Sequence, residues 1–444
     1  MSRKNGGIIG PANTPVGGII TGVASGVWRA NDLLNFVANN QWPKTPQNID
    51  NSLRFDDGSS DNLSLSVSGT SQSTTGTISF WFKRSTLSSD QRVFVNYIDA
   101  NNYGGIKLQS DDTLEVVVVD GGSVTGKLVT NRVFRDVSAW YHCVVAIDSS
   151  NGTAGDRMRL YINGTEETSF STDTNPSSSA TMEFFTDGTN RIGQFNSSQY
   201  FDGYLAEFVM IHGQQLTPSS FGETDSTTGI WKPKKIGQIA NAGDNSFYLD
   251  FKDSSSLGKD QSGLGNDFTV NNLTSIDQST DTCVENFSTM NPLVFNTSTG
   301  NTFAEGNLQV TTTDSAIFGA VSSMGVSSGK WYMEVKPTQI ENKNAIGVTA
   351  AASADAINNH RPGDGAFSAG IRSSGDAKLN GSSESGSWDS FTTSDIVGIA
   401  LDLDNNKLYF SKNGTFMNSG DPTSGATGTG AISLTDPAST TDGF

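Results

Sequence analysis

Trp140-Tyr141-His142-Cys143-Val144-Val145-Ala146-Ile147, a turn from Asp148 to Gly152, and then Met158-Arg159-Leu160-Tyr161-Ile162-Asn163-Gly164 form the stretch that decides the fold. The first run is rich in β-formers and apolar on both pleat faces, which predicts a central strand covered on both sides. In the second, Met158, Leu160 and Ile162 alternate with Arg157, Arg159 and Tyr161, which predicts a strand covered on one side only. Asn163 and Gly164 supply the positive φ of a tight reversal. The same pattern returns at 396–415, where Ile399, Leu401 and Leu403 alternate with Ala400, Asp402 and Asp404, Asn405 and Asn406 turn the chain, and Asn413-Gly414 closes the unit. Two β-sandwich cores built by similar local chemistry are therefore expected.

Composition points the same way. The 444 residues carry 17% charged side chains, below the roughly 25% of average proteins. Ser, Thr, Asn and Gly take their place and suit short strands joined by turns. The expected fold is all-β: two antiparallel β-sandwich (jelly-roll) domains in tandem behind a short N-terminal arm with one helix. A formal net charge of −18 repels phosphate backbones and anionic membrane surfaces, so nucleic acid is excluded as a partner. Gly and Pro interrupt every apolar run near the N-terminus, which excludes a transmembrane span and a signal peptide. Cys143 and Cys283 are far apart in sequence and read as free thiols.

Four segments follow. Residues 1–48 are an arm. Its Gly/Pro-punctuated start has no period, and Ser25 caps a short helix whose Val27, Ala30, Leu34 and Val37 share a face. A lone helix of this length is marginal in water, so Val27, Trp28, Leu34, Val37 and Trp42 are expected to anchor the arm to another protein. Residues 49–236 read as a first sandwich, 237–300 as a bridge rich in Gly, Ser, Asp and Asn, and 301–444 as a second sandwich. The acidic turn from Lys259 to Asp267 and the group Asp402, Asp404, Asn406 match no calcium loop, so no metal is expected.

Trp140-Tyr141-His142 with Arg159-Leu160-Tyr161-Ile162-Asn163-Gly164, and later Asp202-Gly203-Tyr204-Leu205-Ala206-Glu207 and Leu216-Thr217-Pro218, resemble laminin G-like, concanavalin A-type jelly rolls. The resemblance implies two stacked antiparallel sheets in a fold often used to bind glycans or proteins. Gly329-Lys330-Trp331-Tyr332-Met333-Glu334-Val335, Asp395 to Asp402, and Leu408 to Gly414 resemble a SPRY domain. That family usually has further strands, so the expectation is a fragment or strands supplied from elsewhere. The arm, with Gly26-Val27-Trp28 and Gln41-Trp42-Pro43, and Asn286 to Pro292 in the bridge resemble tailed-bacteriophage fibre or adhesin appendages. This resemblance implies a virion location, other virion proteins as partners through the arm, a homo-oligomer such as a trimer, and a host-surface glycan or protein as ligand.

Of the three histidines, His142, His212 and His360, none lies in a nucleophile, zinc or phosphate motif, and no cofactor is implied. Asp56-Asp57, Asp111-Asp112 and Glu166-Glu167 are neighbours that a strand points to opposite faces, not a hydrolase pair. The expectation is therefore a non-enzyme. Sugar recognition needs aromatic faces beside amides and carboxylates on loops held by a rigid sandwich. The candidates are Tyr103 with Asp99 and Asn102, and Trp388 with His360, Arg361 and Asp364, while Trp140 and Trp331 read as core. A purely structural connector or head decoration, and a surface-polysaccharide hydrolase, are the alternatives.

Overall fold

A computed structural model describes residues 49–69, 73–236, 242–295, 301–312, 320–340, 344–350 and 361–434. The arm helix and Val27, Trp28, Leu34, Val37 and Trp42 lie outside the described residues, as does His360. Every regular element described is a strand or a short 3-10 turn, and all pairings are antiparallel.

The first sandwich consists of two eight-stranded sheets. One runs in space Thr165–Glu166, Met158–Ile162, Tyr141–Asp148, Thr75–Arg84, Gly203–His212, Ser52–Phe55, Gln278–Ser279, with Phe247–Leu249 also paired to Gly203–His212. The other runs Phe170–Thr174, Ser123–Val133, Thr113–Asp120, Asn102–Leu108, Gln91–Asp99, Gly188–Ile192, Asn62–Val67, Thr269–Asn271. As the alternation predicts, Cys143, Val145, Ile147, Met158, Leu160 and Ile162 join the core between the sheets. Val144 and Ala146 face the other way, into a second cluster with Tyr161, Val209, Ile211 and Phe221. The strand Met158–Ile162 is thus covered on its outer face at Tyr161 as well, because Phe221 and its neighbours fold back over the sheet.

The Asn-Gly reversals work identically in both domains. Asn163 has φ 49° and Gly164 φ 78°. Asn163 N–H donates to His142 O at 2.9 Å while its Oδ1 accepts from His142 N–H at 2.8 Å. Asn413 has φ 51° and Gly414 φ 80°, and Asn413 makes the same pair of bonds with Ile396, at 2.8 and 2.9 Å. A side chain that both tolerates left-handed backbone and accepts a hydrogen bond ties the turn to the start of the neighbouring strand.

Within the segment read as a bridge, residues 247–281 are instead part of the first sandwich. Phe247, Leu249, Phe251, Leu257, Phe268 and Leu273 enter the main core, and the strands at 247, 269 and 278 extend both sheets. Asp281 accepts from the Lys83 ammonium at 2.8 Å and from Trp140 Nε1 at 3.0 Å. Asp260 folds the acidic turn by accepting from the Tyr248 and Ser262 amides at 2.9 and 2.8 Å. The sequence reading failed here because these strands are three residues or shorter and sit among turn formers. Their partners are remote strands, which no local periodicity reveals.

Glu305, Gly306 and Asn307 then seat on the sandwich. Arg54 bridges Asp277 and Glu305 at 2.9 and 2.6 Å, Tyr204 Oη donates to Gly306 O at 2.9 Å, and Asn307 Nδ2 donates to Ser85 O at 2.9 Å. Beyond them, the second domain has a five-stranded sheet containing Lys330–Val335, Val397–Asp402 and Lys407–Lys412, and a four-stranded sheet containing Ala345–Thr349 and Ser368–Arg372. Its core is smaller, built on Ile371, Phe391, Ile399, Leu401, Leu408 and Phe410. Trp331, read as core, is 52% exposed, with Tyr332 and Met333 also exposed, because Lys330–Val335 is an edge strand.

Candidate functional site

The loop between Gly188–Ile192 and Gly203–His212 builds the site. Gly193 has φ 87°, and a Cβ there would lie 2.8 Å from the Phe55 ring, so only glycine allows the chain to turn off the strand this tightly. Ser197 and Gln199 also take positive φ, and Phe201 N–H returns to Gly193 O at 2.9 Å. Arg92 N–H donates to Gln199 O at 2.8 Å, which lays the loop along the outer face of the second sheet.

Two surfaces result. The first is a strip of rings: Phe195 stands edge-on to Tyr97 and Tyr103, with centroids 5.4 and 5.0 Å away. The Arg92 guanidinium lies over Phe195 at 4.9 Å and Tyr103 at 5.9 Å. Burial pushes Arg92 below the usual arginine range, and the nearby Glu115 carboxylate opposes that shift.

The second is a polar cleft of about 380 Å³. Ser60, Asn62 and Ser64 form one wall, Thr189 and Arg191 the floor strand, Gln194, Ser197 and Tyr200 the loop side, and Asn271 and Asn272 the far edge. Its amides are fixed by one another: Asn62 Oδ1 accepts from Gln194 Nε2 at 2.7 Å and from Asn271 Nδ2 at 3.0 Å, and Gln194 Oε1 accepts from Ser197 N–H at 2.8 Å. Arg191 Nη1 donates to Asn196 Oδ1 at 2.7 Å, with the guanidinium 5.1 Å from the Tyr97 ring centroid. Pre-set amides, hydroxyls, one guanidinium and the half-buried Tyr200 ring are the groups that orient a polyhydroxylated ligand.

The expected residues are distributed unevenly. Tyr103 belongs to the aromatic strip. Asp99 and Asn102 do not reach the cleft: Asp99 accepts from Asn101 N–H at 2.7 Å and Asn102 Nδ2 at 3.0 Å, and Asn102 Oδ1 accepts from Gly121 N–H at 2.9 Å. They close a hairpin tip and pin it to its neighbour. Hydrogen bonding to those donors holds the Asp99 carboxyl below its ordinary range. In the second domain, Asp364 is engaged by Arg372 at 2.6 Å, and its N–H donates to Arg361 O at 2.9 Å. Trp388 is half-buried and stands edge-on to Phe410 at 6.3 Å. No hydrogen bond or ring contact joins it to Arg361 or Asp364 among the described residues. Trp140, read as core, is half-buried at the sheet surface, where Asp281 holds its indole N–H.

Arg191, Tyr200, Asn62, Gln194 and Asn271 were missed from sequence. Gln194-Phe195-Asn196-Ser197-Ser198-Gln199-Tyr200, with two rings among amides just before the closing strand, is the signal that could have found the loop. Nothing local points to Asn271, which arrives from the supposed bridge. No group of three or more His, Cys, Asp or Glu side chains among the described residues could hold a metal ion.

Comparison with known proteins agrees with this architecture. Residues 57–220 match the laminin G-type family described as the concanavalin A-like lectin/glucanases superfamily, and residues 330–432 match the SPRY domain. The chain therefore carries a laminin G-like, concanavalin A-like domain followed by a SPRY domain. Among solved structures it is similar to a native heptameric SAP-like pentraxin from Limulus polyphemus, at 17% identity over 46% of this chain and 94% of that one, TM-score 0.32. It is also similar to mouse laminin α1 chain domains LG4-5, at 10% identity over 88% of this chain and 81% of that one, TM-score 0.31. A third is the Ruminococcus gnavus IT-sialidase CBM40 bound to α2,3-sialyllactose, at 12% identity over 38% of this chain and 92% of that one, TM-score 0.27. No curated protein matches the chain.

Proposed function

We propose that this chain is a surface-attachment protein whose laminin G-like domain binds a host-surface glycan in the cleft between Arg191, Tyr200 and Asn271, and that it serves as a tail-fibre or adhesin appendage of a tailed-phage virion. The observation that carries the glycan reading is the cleft itself, where side-chain amides locked by one another stand beside an aromatic ring on a rigid sheet. Such a site loses little conformational freedom on binding. Membership of residues 57–220 in a lectin and glucanase superfamily supports the same ligand class. The virion placement rests on the resemblance of the arm and of Asn286 to Pro292 to phage appendages, with the arm anchoring an oligomer to other virion proteins. No catalytic step is part of the proposal.

The test is incubation of the full chain with purified host-surface polysaccharide, measuring both retention and new reducing ends. Retention without cleavage, lost in Tyr200→Ala, supports the reading. Cleavage makes the protein a hydrolase.

A second reading, a structural connector or head decoration, is favoured by the exposed Trp331, Tyr332 and Met333 on an edge strand, a surface suited to another protein. Virions in which that strand is covered by a neighbouring chain, together with no retention of polysaccharide, favour the connector.

A further inference from the structure

We propose, building on the glycan reading, that the cleft selects an acidic glycan, with Arg191 receiving the carboxylate of a uronic or similar sugar. Among the described residues Arg191 is the one charged side chain lining the cleft; the other lining groups are hydroxyls, amides and Tyr200. In a chain with a formal net charge of −18, this leaves a local cation with no carboxylate partner, for Arg191 makes no ion pair among the described residues. Its one side-chain hydrogen bond is to the neutral Asn196 Oδ1, and its Nε is buried without a partner. The guanidinium is nonetheless held in place, between that amide and the face of Tyr97.

The contrast with Arg92, one strand away, sharpens the assignment. Arg92 is 3% exposed and has Glu115 beside it, so its charge serves the packing of Phe195 and Tyr103. Arg191 is half-exposed at the cleft and uncompensated, so its charge is available to a ligand. The large negative charge of the chain does not oppose this at contact distance: at physiological ionic strength charges more than about 8 Å apart are largely screened. A guanidinium prefers a planar carboxylate, which it meets with paired N–H donors, over a sugar hydroxyl. Ser197, Thr189 and the amide oxygen of Asn271 remain to engage the ring hydroxyls.

The experiment measures binding of the full chain, at 0.15 M salt on the order used for the screening length above, to alginate, polygalacturonate and polysialic acid, each beside its carboxyl-reduced counterpart, with dextran sulfate included. The expected result is binding of at least one carboxylated polymer about tenfold or more above its reduced counterpart. Arg191→Gln should erase that difference without moving the melting temperature, and Arg191→Lys should retain part of it. Equal binding of a polymer and its reduced form, or an unchanged ratio in Arg191→Gln, overturns the acidic preference and leaves glycan binding standing. Binding of dextran sulfate alone assigns the cleft to sulfate and also overturns it. No binding to any polymer, nor to host-surface polysaccharide, removes the glycan reading and this inference together.

Discussion

Asp281→Ala tests how the chain after residue 236 belongs to the jelly roll. Lys83 lies in the strand Thr75–Arg84 with its side chain 1% exposed, and its ammonium meets Asp281 Oδ2 at 2.8 Å, Asn286 Oδ1 at 2.9 Å and Phe287 O at 2.8 Å. Three donors thus meet three acceptors, all supplied by residues 281–287. Burial already pulls the Lys83 pKa below its ordinary value, with Asp281 opposing that pull. Removing the carboxylate leaves a buried cation with neutral partners, which costs about 3–5 kcal/mol. It also strands the Trp140 indole N–H, at about 1 kcal/mol. A total of about 4–6 kcal/mol, at a urea slope of about 2 kcal/mol per molar, lowers the unfolding midpoint by about 2–3 M. Tryptophan fluorescence in urea reads this directly. In the variant the Lys83 pKa falls further below its unfolded value, so the folded state binds fewer protons than the unfolded one and stability rises with pH. The deficit should therefore be smaller at pH 9.5 than at pH 6, both on the order of the range set by the lysine reference value. Lys83→Met combined with Asp281→Leu should recover at least half the loss, since no buried charge is left unpaired. A midpoint shift below about 0.5 M for Asp281→Ala, with no dependence on pH, would refute the claim that this ion pair joins the two segments.

Other outcomes follow from the same packing. A chain ending at residue 236 loses Phe247, Leu249, Phe251, Leu257, Phe268 and Leu273 from its core; at about 1.5–3 kcal/mol each this rivals a whole domain's stability, so it should melt without a cooperative transition while residues 49–312 melt sharply. A sharp calorimetric peak for the shorter chain would contradict the core assignment. Burial lifts the Glu207 carboxyl to about 7, opposed by the Tyr248 hydroxyl that donates to it at 2.7 Å. Between its unfolded and folded pKa values the folded state binds more protons, so this group's contribution to stability rises as pH falls through about 7. Glu207→Gln, neutral throughout, should therefore melt above the parent at alkaline pH and match it at acidic pH; a difference that does not vary with pH would count against the burial argument. Trp388→Ala removes a half-buried ring from Phe410 and should cost about 2 kcal/mol, less than the roughly 3–5 of a fully buried tryptophan, without changing polysaccharide retention. A variant with parental stability and lost retention would return Trp388 to the binding surface.

What the sequence determined on its own was local. The two-faced apolar run at 140–147, the alternation at 158–162 and the Asn-Gly reversals at 163 and 413 each depend on residues within a few positions of one another. For that reason pleat period and turn chemistry could specify them, and the all-β class and both domain types were legible from them. The fate of residues 247–279 was decided by tertiary structure: strands of two or three residues have no readable period and exist only because remote strands pair with them. The candidate site was legible only at Tyr103. Asp99 and Trp388 read as available ligand groups because sequence shows polarity and aromaticity but not the partner that already occupies a side chain: a hairpin's own amides for Asp99, Phe410 for Trp388. Arg191 and Asn271, 80 positions apart, were brought to one cleft by the edge pairing of Thr269–Asn271 with Asn62–Val67 and of Asn62–Val67 with Gly188–Ile192. A binding site assembled across strand edges is a property of register, and register between distant strands is fixed by the packing of the whole sandwich.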